Sequence, residues 1–249
     1  MRQVQADRDK YRDMIHDLSL QAASFAPLTA AQVCAFVAEV DRRLALLSDE
    51  RMVLKAFDKW PEQRMEAMRE VAARSKELSV LLASLDPSQW EPKSSISDEI
   101  QRTEDVFSKA QATVDWYSRC REELSRKYSA HRLPFDFGGI TRVQQATVGL
   151  AKHAMSLALT ANQRLQSSQE RGEVVAKATV DKVVSVGDSA LRLAFRCHQG
   201  AGGFDSEATG MFSALQASVI QQMEAEQRHM AQQRMESAES ADQSSFESD

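Results

Sequence analysis

Residues 180–198 read VDKVVSVGDSALRLAFRCH, and their apolar members return with the period of a helix. Val180, Val183, Val184, Gly187, Ala190, Leu191, Ala194, Phe195 and His198 fall at i, i+3, i+4, i+7, i+10, i+11, i+14, i+15 and i+18. That series lines one face of a 3.6-residue helix, whereas a strand alternates every second residue. Asp181, Lys182, Asp188, Arg192 and Arg196 fall off the stripe and are predicted to face solvent. The helix is predicted over about residues 173–199, where Gly200-Ala201-Gly202-Gly203 stops it as glycine past a C-cap does. Phe204-Asp205 opens a last helix, with Asp205 as its N-cap.

The same reading extends upstream. Residues 1–24 form a charged helix ending before Pro27. Thr29 and Gln32 have capping-box spacing and start a helix carrying Val33, Val37, Val40, Leu44, Leu47 and Leu54. Those positions make a heptad with Arg51 in the skipped slot, which predicts either a dimerisation seam or a core face. Pro61 suits a first helical turn, and Met65, Met68, Ala72, Leu78, Leu82 and Leu85 line the helix that follows. Asp86-Pro87 ends it, and Ser95 with Asp98 starts a long helix over about residues 97–131. Leu133-Pro134-Phe135-Asp136-Phe137-Gly138-Gly139 breaks the period, and another helix runs from about Ile140 to Ser167. Val143, Thr147, Leu150, Ala154, Leu157, Ala161 and Leu165 share one side of it. The prediction is an all-α chain: an elongated bundle of seven to eight helices, dimerising, with a disordered acidic tail. Its divisions are a leading helix at 1–28, a helical interaction domain at 29–220 and a polar acidic tail at 221–249.

Composition narrows the function. The 249 residues include 43% hydrophobic and 27% charged, which is ordinary for a globular chain. The net charge of −5 comes from 36 acidic and 31 basic residues, and residues 222–249 hold seven of the acids and two arginines. Residues 1–221 therefore carry 29 of each sign, and a neutral body argues against a nucleic-acid binder. No run of 18 apolar residues occurs, so no direct membrane insertion by this segment is expected. Cys34, Cys120 and Cys197 are odd in number and far apart, which disfavours a disulfide frame or a zinc site, and no metal or cofactor is expected.

Catalytic signals are sparse. GAGGFD at 200–205 follows a helix and lacks the Lys or GxGxxG frame of a phosphate loop. Cys197 and His198 are adjacent, so they point about 100° apart on a helix and make no ready nucleophile–base pair. His198 lies on the apolar stripe and is predicted to be a core histidine. The other histidines show no metal-protease spacing, and no catalytic residue is expected. An enzyme working through Cys197 and His198 is the distant alternative. Met65 and Met68 are predicted core, while Met223, Met230 and Met235 sit where an amphipathic tail could dock on a partner.

Two long segments resemble a known family. DERMVLKAFDKWPEQRMEAMREVA at 49–72 and LRLAFRCHQGAGGFDSEA at 191–208 are similar to the C-terminal domain of the plant and algal chloroplast unusual positioning proteins. RDMI at 12–15, Leu-Pro-Phe-Asp at 133–136 and ATVGLAKHAM at 146–155 follow the same pattern in the same order, and the likeness covers roughly residues 12–215. It departs from the pattern at Phe137-Gly138, where the family has Trp-Met, and in inserted residues around 167–180. The resemblance implies an all-helical, homodimeric domain that binds actin and promotes filament nucleation, with profilin as a partner. It implies a cytoplasmic location at the chloroplast outer envelope, and a related branch implies a microtubule-associated or scaffolding module instead. Candidate contact residues are Arg192, Arg196, His198, Gln199 and Phe204 with Lys59 and Trp60, because an exposed Arg pair suits an acidic partner. Val33, Val37, Val40, Leu44, Leu47 and Leu54 are the candidate dimerisation residues.

Overall fold

A computed structural model describes residues 2–91, 93 and 95–246, with backbone alone at 226, 229 and 230 and from 232 onward. The described residues form nine α-helices and one 3-10 turn at Pro87–Gln89, with no strand among them. The helices are α1 Arg2–Lys10, α2 Arg12–Ser24, α3 Ala30–Leu44, α4 Glu50–Leu54 and α5 Glu62–Ser84. They continue with α6 Ile96–Ala130, α7 Gly138–Glu170, α8 Lys177–Ala201 and α9 Ser206–Phe246. The predicted all-α class is the one the chain adopts. No described helix is long and apolar enough to cross a membrane.

Helices α3, α4, α6 and α9 begin where side-chain oxygens satisfy first-turn amides that have no intrahelical partner. Thr29 and Gln32 form the full capping box of α3. Asp205 Oδ1 accepts from the Ala208 amide at 2.8 Å, and Ser95 Oγ accepts from the Asp98 amide at 3.1 Å. At the other end of α8, Gly202 takes the left-handed conformation (φ 77°), and the Gly203 amide bonds to the His198 carbonyl at 3.0 Å.

Two predicted helices are split. The helix predicted over 1–24 bends at Tyr11 into α1 and α2, and the heptad helix breaks over Ala45–Asp49 into α3 and α4. The second break combines a local cap with a long-range contact. Asp49 takes extended backbone and caps the Met52 amide at 3.0 Å, while Ser48 donates its amide and hydroxyl to Asp7 at 2.8 and 2.5 Å. A side chain that caps a new helix competes with the helix it interrupts.

The chain folds as two compact units. The first is Met1–Ala83 with Ala112–Val143, and the second is Ser84–Gln111 with Gln144–Asp249. In the first, Val33, Val37, Val40, Leu44, Leu47 and Leu54 are all 8% exposed or less. Each such burial is worth roughly 1.5–3 kcal/mol, so the stripe is spent on the chain's own interior. It takes the role of a core face, and a partner cannot reach it as a seam. Arg64 ties three segments of this unit together, donating to the carbonyls of Phe25 and, at 3.0 Å, of His131. Phe135 lies between the rings of Tyr117 (6.1 Å), Tyr128 (5.4 Å) and Phe137 (4.8 Å). The Leu133–Phe137 segment thus runs back along α6 before α7 begins.

In the second unit, Phe107, Leu150, Met155, Leu193 and Leu215 are fully or nearly fully buried. The Trp90 ring is fixed by three contacts. Its indole N–H donates to the Ser84 carbonyl at 3.1 Å, Arg102 lies 4.5 Å from its ring centre, and His153 meets it edge-on. His153 Nε2 also sits 3.3 Å from the buried Glu99 carboxylate. The last buried side chain described on α9 is Val219, in line with the apolar stripe predicted to fade near residue 221. The α9 backbone continues helically to Phe246, and the predicted tail residues 247–249 lie outside the described residues.

Asp7 gives a pH test. Its carboxyl is held below the ordinary carboxylate range, chiefly by the Ser48 hydroxyl and amide. A depressed folded-state pKa contributes stability that is complete above the unfolded carboxylate value and lost as the pH falls through the folded one. Asp7→Asn is therefore expected to lower the denaturation midpoint at pH 7 and to narrow its gap from the unmodified chain as the pH drops towards 3. Urea titrations at the two pH values measure this.

Candidate functional site

The site is built on the pairing of α8 with α9. A Cβ placed at Gly187 would lie 2.8 Å from Val219 Cγ2 and 3.9 Å from Leu215 Cδ1, so α9 presses directly on the α8 backbone. The buried face of α8 is Val186, Gly187, Ala190, Leu193, Ala194 and Cys197, mostly small residues. This corrects the predicted stripe. Gly187, Ala190 and Ala194 belong to it, but the arc that packs includes Val186, Leu193 and Cys197, and Phe195 and His198 lie outside it. Phe195 is 53% exposed. His198 is exposed and is no core histidine.

What lies beside the buried arc is a groove of about 390 Å³ lined by Leu191, Arg192, Phe195, Arg196, Phe212 and Gln216. His198, Phe204 and Phe212 close one end, with ring centres 5.0 and 6.2 Å apart in sequence. Arg192 is drawn along the helix by Asp188, whose Oδ2 lies 2.5 Å from Nη2. Arg196 lies 4.8 Å from the Phe107 ring centre and has no carboxylate partner among the described residues. The α8–α9 turn is anchored through Asp205. Its carboxyl is held below the ordinary value first by the Ala208 amide and next by Lys152, which ion-pairs with it at 2.8 Å and also with Glu207.

The candidate contact residues therefore divide. Arg192, Arg196, His198 and Phe204 gather around the α8–α9 groove, and Gln199 is exposed on the same helix end. Lys59 and Trp60 belong to the first unit, Lys59 exposed and Trp60 half-buried at the wall of a separate cleft of about 570 Å³. Leu191, Phe195 and Phe212 were not candidates from sequence. Their period assigns Leu191 and Phe195 to the core, and Phe212 carries no signal beyond its place one helix later.

Cys197 and His198 separate as helix geometry requires. Cys197 is fully buried, and burial pushes its thiol up to about 12, while His198 points outward. A thiol sealed from solvent and raised in this way has the character of a core group.

Residues 68–238 match the sequence pattern of the IPGAL1-like C-terminal domain. That match takes in α6 to α8 and most of α9, so the chain belongs to the IPGAL1-like family. A relative in Arabidopsis thaliana, the uncharacterized protein At4g04980, is 25% identical over 206 residues, which are 83% of this chain and 28% of that protein. The chain thus spans under a third of that relative's length.

Two measurements test this geometry. Cys34 and Cys120 are part-exposed and Cys197 is sealed, so a thiol-specific reagent is expected to modify two thiols in the native protein and a third only after unfolding. Gly187→Leu forces branched atoms into the Val219 contact. Overpacking of this kind is expected to lower stability by ~1–3 kcal/mol in a denaturant titration.

Proposed function

We propose that this chain is a helical module that binds actin and promotes filament assembly, with profilin-bound actin as a further substrate for it, and that the α8–α9 groove is the contact surface. The observation that carries the reading is Phe195, half exposed between Arg192 and Arg196 on a helix whose other face is fully buried. An exposed aromatic ring flanked by guanidiniums has the composition of an interface centre, where aromatic residues and Arg are enriched. Actin, as the partner, is drawn from the resemblance of residues 49–72 and 191–208 to the chloroplast unusual positioning proteins, and the α8 wall of the groove lies inside the second segment.

The mechanism is templating. A rigid module that holds actin subunits side by side raises their effective concentration and lowers the nucleation barrier without breaking a bond. A homodimer and a place at the cytosolic face of the chloroplast outer envelope belong to the same reading. Pairing then uses surface other than the 33–54 stripe, which is buried. The competing reading from the same resemblance is a microtubule-associated or scaffolding module.

The test is actin assembly followed by fluorescence, with actin alone and with profilin-bound actin. The unmodified chain is expected to shorten the lag, and Arg192→Glu with Arg196→Glu to restore it. No acceleration of either form by a correctly folded chain, together with co-sedimentation on microtubules, overturns the proposal in favour of the microtubule reading.

A further inference from the structure

The groove has a length, a polarity and a charge, and together these specify an occupant. On α9, Phe212, Gln216, Ile220 and Met223 recur at spacings of four, four and three, so they share one flank. Ile220 and Met223 are 49% and 50% exposed, and the flank borders the buried positions Leu215 and Val219. On α8, Leu191 and Phe195 form the matching flank beside Gly187 and Ala194. Two packed helices with adjacent apolar flanks leave a furrow that a third helix fills, as in helix-in-groove recognition. From Phe212 to Met223 this flank of α9 runs about 16 Å, or about three helical turns, and the groove occupies its Phe212–Gln216 end.

Charge is confined to one rim. Residues 208–223 of α9 include no charged side chain, so the α9 rim is neutral. The α8 rim holds Asp188, Arg192 and Arg196, and Asp188 is already engaged by Arg192. Arg192 and Arg196 are four residues apart, on successive turns, and Arg196 is without a carboxylate. The rim is thus positive by one unmatched guanidinium plus one that is half neutralised, beside an apolar floor. A helix laid here with acidic residues at i and i+4 on its α8 side pairs with both.

We propose that the α8–α9 furrow binds an acidic amphipathic helix of about three turns in a partner protein, its apolar face on Phe195 and Phe212 and its carboxylates on Arg192 and Arg196. This deepens the reading of the groove as a protein-binding surface and does not depend on the partner being actin.

The experiment is fluorescence anisotropy with the full chain and labelled synthetic peptides of about 14 residues, long enough to cover three turns. One carries leucines at i, i+3, i+4 and i+7 with glutamates flanking them on one side, the second has lysines in place of the glutamates, and the third is a scramble of the first. The glutamate peptide is expected to bind at least tenfold tighter than the lysine peptide, and the scramble not to bind. Arg192→Glu with Arg196→Glu is expected to reverse the preference, and Phe195→Ala to weaken the glutamate peptide about tenfold. All three side chains are exposed, so circular dichroism is expected to show an unchanged fold in each variant. Equal affinity for the glutamate and lysine peptides, or binding unaffected by Phe195→Ala, overturns the proposal.

The chain's own acidic end, with seven acids in 222–249, supplies the rival occupant. Concentration-dependent self-association that excludes the peptide and is abolished by the double Arg variant assigns the furrow to a second copy and overturns an external partner. Peptide binding without faster actin assembly sinks the actin reading alone. Faster actin assembly that survives the double Arg variant, with no peptide binding, sinks the furrow alone.

Discussion

Phe135 is the pin on which the first unit turns. A 35-residue helix followed by a Pro-Phe-Asp-Phe break could reverse at its tip and run back flush. Here the ring of Phe135 is held by Tyr117 as well as Tyr128, eleven residues apart on α6, so the connecting segment itself lies along the helix. The turn starts with Arg132 in the left-handed conformation (φ 55°), a strained choice for a residue with a side chain that the aromatic packing must offset. As a result the residue just before α7 lies beside α6, with Arg121 5.5 Å from the Phe137 ring centre. Within the second unit, α7 sets His153 beside Glu99 and, about two and a half turns later, Asn162 beside Gln222 at 2.7 Å.

Much of the fold is legible in the sequence because its stop and start signals are local. A cap is read from one oxygen and one amide three residues on, and Thr29, Ser95 and Asp205 all cap as their spacing indicates. The break between α3 and α4 is not legible in that way. The heptad from Val33 to Leu54 runs through it without a glycine or proline, and what ends α3 is Ser48 bound to Asp7, a residue 41 positions away. The stripe also could not disclose its own use. Six apolar positions at heptad spacing serve a dimer seam or a monomer core equally well, and the burial of all six decides for the core.

The candidate site shows the opposite failure, in which the face that a residue occupies is misread. Arg192 and Arg196 project outward as their place off the stripe indicates. Phe195 and His198 were read as interior because hydrophobic period reports an arc without saying which part of it will be covered. The covered part was chosen by size. Gly187 lets Val219 approach to a distance that no larger residue admits, and Ala190, Ala194 and Cys197 extend the same small surface. Two helices that close cannot seat a phenylalanine between them.

The aromatic residues are therefore displaced to the side of the seam, and the displacement explains why the groove exists at all. Had α8 carried Leu at 187, the helices would stand farther apart and the rings of Phe195 and Phe212 could fold into the gap. With glycine there, the seam is shut, Phe195 stands in water, Phe212 is left half-buried, and Phe204 packs between His198 and Phe212 at the end. Exposed aromatic surface carries a standing hydrophobic cost that folding alone does not recover. The close α8–α9 seam and the open furrow beside it are one feature: the contact that stabilises the unit is the contact that leaves Phe195 to a partner.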